Sequence, residues 1–248
     1  MAQAAVPGRL TWQTGTVAEL IAETPRSCSV VLELAHWAGH RAGQHVDLRL
    51  IAPDGYEVQH SYFIASAPED GIVVLTVQRV DDGVVSPHLV DELRVGDQLE
   101  VRGPIGTHFV WDESPGGPVM LIAGGSGIVP FRSMLRHRVA TMSSVDVRLL
   151  YSARSLEEVI YRDELLRLAA YAEVDMRFVL TREWPGQWHG HRGRIDGSFL
   201  EQVAWPAVDR PMSFVCGPSG FVEAVSKALV AQGNTPAHIK TGRFGPSG

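Results

Sequence analysis

Hydrophobic and polar residues alternate in short runs through the first half of the chain, as in residues 29–34, 46–50 and 72–77. Alternation with a period of two is typical of β-strands that bury one face. Turn-forming residues separate the runs, and the sequence predicts a short helix at residues 86–93. Evenly spaced short strands favour a closed barrel or a sandwich, and we predict an antiparallel β-barrel.

The pattern changes after residues 112–118, a polar stretch rich in proline and glycine that indicates a domain boundary. Residues 119–123 form a continuous apolar run, which is typical of a strand buried on both faces. Further strand patterns at residues 145–151, 174–180 and 212–216 alternate with helical stretches. This alternation predicts a doubly wound parallel sheet, whose ligands bind at the carboxyl ends of its strands.

Three residues are predicted to mark helix ends in the second half of the chain. Ser155 and Ser198 each precede a glutamate by three residues, which is the spacing of a capping box that opens a helix. Gly233 follows the helical stretch 221–232 and suits the position just beyond a helix.

The predicted organisation is two domains, a β-barrel over residues 6–113 and a doubly wound α/β domain over residues 114–248. The net charge of −6 disfavours nucleic acid as a partner, because phosphate backbones attract basic surfaces. The two cysteines, Cys28 and Cys216, are too few for an iron–sulfur cluster, and burial is expected for both. The N-terminus lacks the features of a signal peptide, and the longest apolar stretch is too short for a bilayer. We therefore expect a cytoplasmic protein with no membrane segment and no metal site.

A glycine-rich turn, Gly124-Gly125-Ser126-Gly127, follows the first buried strand of the second half and precedes a helix. Glycines let the backbone approach a pyrophosphate, and the amides and dipole of a helix N-terminus attract an anion. Pro130 suits the first turn of that helix. The motif predicts a dinucleotide site, and the alternative is a tight turn that binds no ligand.

A second turn, Cys216-Gly217-Pro218, also joins a strand to a helix. Because parallel strands end at the same sheet edge, we expect it beside the glycine-rich turn, facing a phosphate or a nicotinamide. The alternative is a strand–helix turn without a ligand.

Two segments of the first half complete a pattern with these turns: His60-Ser61-Tyr62-Phe63 and Gly83-Val84-Val85-Ser86. In their order along the chain, the four motifs resemble those of the ferredoxin–NADP(H) reductase superfamily. In that family an Arg-x-Tyr-Ser segment and a Gly-x-x-Ser segment of the barrel bind flavin. A Gly-Gly-x-Gly-x-x-Pro turn and a Cys-Gly-Pro turn bind the nicotinamide dinucleotide. The resemblance covers nearly the whole chain, and it implies FAD together with NADP(H) or NAD(H) as cofactors.

Two positions depart from the family's flavin motif. His60 stands where the family has arginine, and neutral histidine cannot pair with a phosphate as the guanidinium fork does. Phe63 stands where the family has a serine that hydrogen-bonds the flavin edge, although the Phe63 backbone amide still could. Tyr62 is retained and is expected to pack against the flavin. We therefore predict that FAD binds, with lower affinity or altered reactivity.

Arg154 and Arg182 follow successive strand patterns of the second half, and Arg194 lies in the segment Arg192-Gly193-Arg194-Ile195. The resemblance implies that these positions surround the adenosine ribose, where arginines favour the 2′-phosphate of NADP(H) and an acid favours NAD(H). The prediction is a preference for NADP(H), and the alternative is that the three are solvated surface side chains.

The resemblance also implies a reaction centre at the domain interface, where the nicotinamide meets the flavin beside Cys216 and Phe63. Phe244, close to the C-terminus, would cover the flavin ring by stacking until the nicotinamide displaces it. The alternative for Phe244 is a simple packing role.

The function implied by the resemblance is that of an NAD(P)H-dependent flavoprotein reductase. It would pass single electrons to a separate ferredoxin or similar iron–sulfur protein, and we expect the reductase to be a monomer. One alternative is a flavin or quinone reductase with a small-molecule acceptor. Another is a noncatalytic subunit with a decayed flavin site, and His60 and Phe63 are the residues that keep this alternative open.

Overall fold

The computed structural model describes residues 10–51, 57–81, 83, 85–111 and 116–244. The first half forms a six-stranded antiparallel sheet in the order β4-β3-β6-β1-β2-β5. An isolated antiparallel bridge between Ile64 and Leu75 joins the two outer strands and closes the sheet into a barrel. The predicted barrel is therefore confirmed. Its strands are β1 (Gln13–Thr24), β2 (Ser27–Leu34), β3 (His45–Ile51), β4 (Glu57–Phe63), β5 (Val73–Gln78) and β6 (Gln98–Ile105).

The predicted short helix lies between β5 and β6. It begins as α1 (Val85–Pro87) and continues as a π-helical turn (His88–Glu92). Val85 and Leu89 turn inward and are buried in the barrel core.

The second half forms a six-stranded parallel sheet in the order β10-β9-β8-β7-β11-β12, as predicted. Leu121 and Ala123 of the central strand β7 face one hydrophobic core, and Met120 and Ile122 face another. Burial on both faces explains why the sequence of β7 is continuously apolar. The strands are β7 (Val119–Gly124), β8 (Val147–Ala153), β9 (Asp175–Leu180), β10 (His191–Arg192), β11 (Met212–Pro218) and β12 (Ile239–Phe244). The helices are α2 (Val129–Ala140), α3 (Arg162–Tyr171), α4 (Gly197–Val203) and α5 (Ser219–Ala231).

Both predicted helix starts are wrong, whereas the predicted helix end is confirmed. No helix begins at Ser155, because the chain there turns inward to bury Ile160 and Tyr161, and α3 starts only at Arg162. At α4 the N-cap is Asp196, whose carboxylate accepts the Phe199 amide at 2.9 Å. The predicted cap of α4, Ser198, lies inside the first turn and donates its hydroxyl to the same carboxylate at 2.8 Å. Gly233, with φ of 89°, follows the end of α5 as expected.

A buried hydroxyl chain links the two halves of the molecule. The Tyr161 hydroxyl donates to the Thr76 hydroxyl of β5, and the Thr76 and Ser29 hydroxyls are 2.8 Å apart. Ser29 in turn donates to the Glu23 carboxylate at 2.6 Å. Tyr161, Thr76 and Ser29 are all less than 5% exposed. The loop before α3 is therefore fixed to the barrel by groups that exclude water.

Arg136 of α2 provides a second link between the halves. Its guanidinium donates twice to Asp70, at 2.8 and 3.1 Å, and once to Glu164 of α3, at 2.9 Å. Asp70 follows β4 on the barrel side, so one arginine joins the barrel to two helices of the α/β half. Burial favours the neutral acid, but the hydrogen bonds from Arg136 and from the Ala67 amide outweigh it and hold the pKa of Asp70 below its usual value.

In the part of the chain that the structure describes, no helix is long and apolar enough to cross a membrane. Residues 112–115, which contain the predicted boundary at 113, lie outside the described residues. The division into residues 6–113 and 114–248 therefore stays a prediction.

Replacing Tyr161 with phenylalanine removes the hydroxyl that donates to Thr76 and keeps the ring. We expect the free energy of unfolding to fall by about 1–2 kcal/mol, because the buried Thr76 loses a partner. Urea denaturation of the two proteins measures the difference. The matched control is Tyr171→Phe, since Tyr171 is 82% exposed, and it should change stability by less than about 0.5 kcal/mol. Equal losses in the two variants would contradict a specific role for the Tyr161 hydroxyl.

Candidate cofactor-binding and active site

The two predicted turns lie against each other at the carboxyl edge of the parallel sheet. β7 and β11 are neighbouring strands, and a Cβ on Gly127 would overlap the carbonyl oxygen of Cys216. A Cβ on Gly124 or on Gly217 would meet the ring of Phe221, at 2.9 and 2.8 Å respectively. Part of the demand for glycine therefore comes from the contact between the two turns and does not depend on a ligand.

The glycine-rich turn is a 3₁₀ segment (Gly125–Ile128) that leads directly into α2, with Pro130 in its first turn. Gly125 has φ of +56°, which favours glycine. The amide of Ser126 donates to the side-chain oxygen of Gln78, at the end of β5, at 3.2 Å. Gln78 brings the barrel into contact with the turn and occupies one of the amides that an anion would use.

Arg154, Arg182 and Arg194 lie at the same edge of the sheet, on the side of β8, β9 and β10. The backbone carbonyl of Arg154 accepts the amides of Arg182 and of Glu183, both at 3.0 Å, so the turns after β8 and β9 lie together. All three arginine side chains are exposed. Within the described ranges, their guanidinium groups form no ion pair. Glu183 is an acid in the same turn.

Cys216 lies two residues before the end of β11, beneath the domain interface, and is completely buried. Burial raises the pKa of its thiol far above the ordinary value, so the thiol is protonated at neutral pH. Its register partner on β12 is Gly242, and the half-buried ring of Phe63 reaches the same place from the barrel. Phe244 lies two residues further along β12, beside Pro218, and is packed against the core shared by the two halves.

The flavin motif lies on β4, where successive side chains point to opposite faces of the sheet. Tyr62 pairs with Val46 and packs against the barrel core, and burial raises the pKa of its phenol. Ser61, on the other face, donates its hydroxyl to Asp47 at 2.7 Å. His60 is exposed. The β4 motif therefore carries the partly buried ring of Tyr62 and the exposed imidazole of His60, two residues apart.

The second flavin segment, residues 83–86, follows a turn that the Ser86 side chain stabilises. The Ser86 hydroxyl accepts the Val80 amide at 3.0 Å, and the Gly83 amide donates to the Val80 carbonyl at 3.0 Å. Val85 is buried inside the barrel, so its side chain faces away from a ligand on the surface. Val84 lies outside the described residues.

Residues 17–110 match the family of oxidoreductase FAD-binding domains, and residues 121–227 match the family of oxidoreductase NAD-binding domains. The two matches cover most of the barrel and of the parallel sheet. The chain belongs to the ferredoxin–NADP reductase family. It is an oxidoreductase whose two domains bind FAD and a nicotinamide dinucleotide.

Two curated relatives and one solved structure illustrate the similarity. The chain is 34% identical over 210 residues to the glycine betaine monooxygenase reductase subunit of Pseudomonas aeruginosa, covering 84% of this chain and 57% of that protein. It is 34% identical over 212 residues to ferredoxin–NADP reductase B of Sorangium cellulosum, covering 82% of this chain and 84% of that protein. The crystal structure of an Amycolatopsis cytochrome P450 reductase has a TM-score of 0.85 and 28% identity, over 98% of this chain and 73% of that chain. The chain thus spans little more than half the length of the first of these relatives.

The described residues fit the ring system of FAD better than its phosphates. Tyr62 packs against the barrel core but keeps part of its ring exposed, and that part would be available to the flavin, whereas the nearby arginines are already held by carboxylates. Arg79 donates to Asp91 at 2.8 Å and also contacts Asp81, and Arg102 donates to Asp47 at 2.7 Å. His60 is the ionisable side chain of the β4 motif that is left to meet a phosphate.

Sequence reasoning missed three residues that contribute to the site: Gln78, Gly242 and Glu183. Gln78 and Gly242 stand outside any motif, and their roles arise from contacts with residues more than forty positions away. Glu183 directly follows Arg182, so a search for acids next to the predicted arginines would have found it.

His60→Arg restores a planar cation at the position where the family's motif has one. We expect the dissociation constant of FAD to fall about ten-fold, because a bidentate arginine–phosphate contact adds roughly 1.5 kcal/mol. Titration of the apoprotein with FAD, followed by flavin fluorescence, measures this constant. His36→Arg is the control for added charge, since His36 is also an exposed barrel histidine. Unchanged affinity in His60→Arg would show that the FAD phosphates lie elsewhere.

Proposed function

We propose that this chain takes two electrons from NADPH and passes them one at a time to a separate iron–sulfur protein of the ferredoxin type. The observation that carries the proposal is the meeting of three elements at one point. The glycine-rich turn, the turn at Cys216 and the end of β4 at Phe63 come together where the barrel faces the parallel sheet. A donor bound by the sheet and an acceptor bound by the barrel would be in contact there.

The residues at this point act by positioning and by excluding water. FAD, when bound, accepts a hydride from the nicotinamide and releases electrons singly. Cys216 is completely buried, and burial raises the pKa of its thiol, so the proton stays on Sγ and no charge forms beneath the site at neutral pH. Orientation of two bound cofactors can account for a large part of the rate, and this is the contribution the fold makes.

The choice of a protein acceptor is supported by the relatives and by the cysteines. Reductase subunits of monooxygenases and a ferredoxin–NADP reductase are among the proteins that this chain resembles. Cys28 and Cys216 are the two cysteines of the sequence, and both are buried in hydrophobic cores. The iron–sulfur acceptor would therefore lie outside these 248 residues.

Steady-state turnover with NADPH tests the acceptor. FAD-loaded protein is assayed with a [2Fe–2S] ferredoxin, with a quinone and with free flavin, each over a range of concentrations. We expect kcat/KM for the ferredoxin to exceed that for either small molecule by at least about ten-fold. A preference for the quinone or for free flavin would favour the small-molecule alternative. Bound FAD that NADPH fails to reduce would identify a noncatalytic subunit.

The proposed preference for NADPH rests on Arg154, Arg182 and Arg194. Their guanidinium groups are exposed, and two of the three are brought together by the backbone bonds to the Arg154 carbonyl. A 2′-phosphate would be matched by this cluster of positive charge, and Glu183 in the same turn would be less favourable for it.

Arg182→Ala tests this preference. We expect kcat/KM with NADPH to fall about ten- to hundred-fold and kcat/KM with NADH to change less than about two-fold, because only NADPH carries the phosphate. Arg177→Ala is the control, since Arg177 lies in β9, the strand before Arg182, and already pairs with Asp175. Equal losses with the two coenzymes would refute a phosphate contact.

A further inference from the structure

Phe63 and Gly242 fit together across the domain interface. A Cβ built on Gly242 would lie 2.9 Å from Cζ and 3.2 Å from Cε2 of the Phe63 ring. The same point is 3.1 Å from the Cys216 sulfur. Gly242 has an ordinary strand conformation, so the requirement for glycine comes from the ring that fills the space above it.

The Phe63 ring is held from the barrel side as well. It packs against Phe109 at a centroid distance of 5.3 Å and meets His45 edge-on at 6.0 Å. Phe109 continues the cluster to Phe214 of β11, at 5.3 Å. The ring therefore has neighbours on both domains and a defined position.

Exposure indicates what lies on either side of the ring. Phe63 is half-buried, whereas Cys216 and Gly242 beneath it are buried. The partly exposed ring and the buried thiol thus lie on either side of one point above Gly242.

We propose that Phe63 and Gly242 form a steric pair that shields Cys216 and makes Phe63 the hydrocarbon wall against which the nicotinamide is positioned. Phe63 is in this view a positioning residue, and Gly242 is the partner that lets its ring lie flat on β12. The first part of the proposal, the shielding, stands on contacts within the chain. The second part rests on the proposed function, because it needs a nicotinamide at the Cys216 turn.

Thiol reactivity tests the shielding. In an FAD-loaded Cys28→Ala background, Cys216 is the single thiol, and its reaction with an aromatic disulfide reagent is followed by absorbance. We expect Phe63→Ala to accelerate the reaction about ten-fold or more, because the thiol becomes accessible. Phe63→Leu should restore most of the shielding. Phe178→Ala is the matched control, since Phe178 is a half-buried phenylalanine packed on the same core, and it should leave the thiol slow. Acceleration in both alanine variants, or in neither, overturns the shielding.

Thermal unfolding tests the pairing independently of any ligand. Gly242→Ala should lower the melting temperature by about 3–6 °C when Phe63 is present, because the methyl group collides with the ring. In the Phe63→Ala background the methyl no longer meets the ring and keeps only its close approach to the Cys216 sulfur, at 3.1 Å, so Gly242→Ala should lower the melting temperature clearly less there. Equal shifts in the two backgrounds would show that Phe63 and Gly242 are not coupled.

Two ligands test the positioning role in the Phe63→Ala protein. NADP⁺ should protect Cys216 from the reagent, and 2′,5′-ADP, which lacks the nicotinamide, should not. At saturating NADPH, flavin reduction should slow about ten-fold while the dissociation constant of 2′,5′-ADP stays the same. Equal protection by both ligands, or unchanged flavin reduction, would overturn the positioning role. If neither ligand binds, the proposed function fails, whereas the shielding result stands.

Discussion

The buried contact between Tyr161 and Thr76 is the constraint on which the rest of the arrangement depends. The two cofactors of this family sit on different domains, so their reacting atoms meet only if the barrel and the parallel sheet hold a fixed relation. Tyr161 lies in the loop before α3, Thr76 lies in β5, and the chain of hydroxyls continues to Ser29 and Glu23. Hydrogen bonds of this kind have narrow geometry, and buried hydroxyls that lost them would be costly, so the contact favours one relative placement of the domains.

The ion pairs of Arg136 lie at the same domain boundary, but they stabilise it less than the buried hydroxyls do. Their side chains remain partly exposed to solvent, with exposed fractions of 34% for Arg136, 22% for Asp70 and 20% for Glu164. Solvent therefore screens the attraction between their charges. Their bidentate geometry still adds orientation, because one planar group meets a carboxylate from each half. We therefore infer that the buried hydroxyls and the aromatic core around them mainly fix the relative placement of the two domains. The Arg136 ion pairs make a smaller contribution. The same β5 strand that carries Thr76 ends at Gln78, which reaches the glycine-rich turn.

The sequence predicted those features whose signal is local. Alternation of hydrophobic and polar residues placed β2, β3 and β5, and a continuous apolar run placed β7, because the residues of a strand themselves reflect which of its faces are buried. Capping was harder, since Asp196 and Ser198 both offer an oxygen to the start of α4 and only the fold decides which accepts the Phe199 amide. The prediction of a helix start at Ser155 was wrong because the packing of Ile160 and Tyr161 in the interface outweighs a local capping preference. The fit of Phe63 against Gly242 joins residues on two domains, and neither position carries a local signal for it.

Phe63 and His60 both depart from the family's flavin motif, but they differ in how their side chains pack against the rest of the chain. His60 is exposed and stands where the family's motif has arginine. Phe63 is matched by a glycine on β12 and by Phe109, and its ring is the proposed cover of the Cys216 thiol. A site that had decayed would have little reason to keep a large ring seated against a strand with no room for a methyl group. The packing at Phe63 therefore supports the proposal that a hydrocarbon surface takes the place of a hydroxyl donor, and it weighs against the noncatalytic alternative.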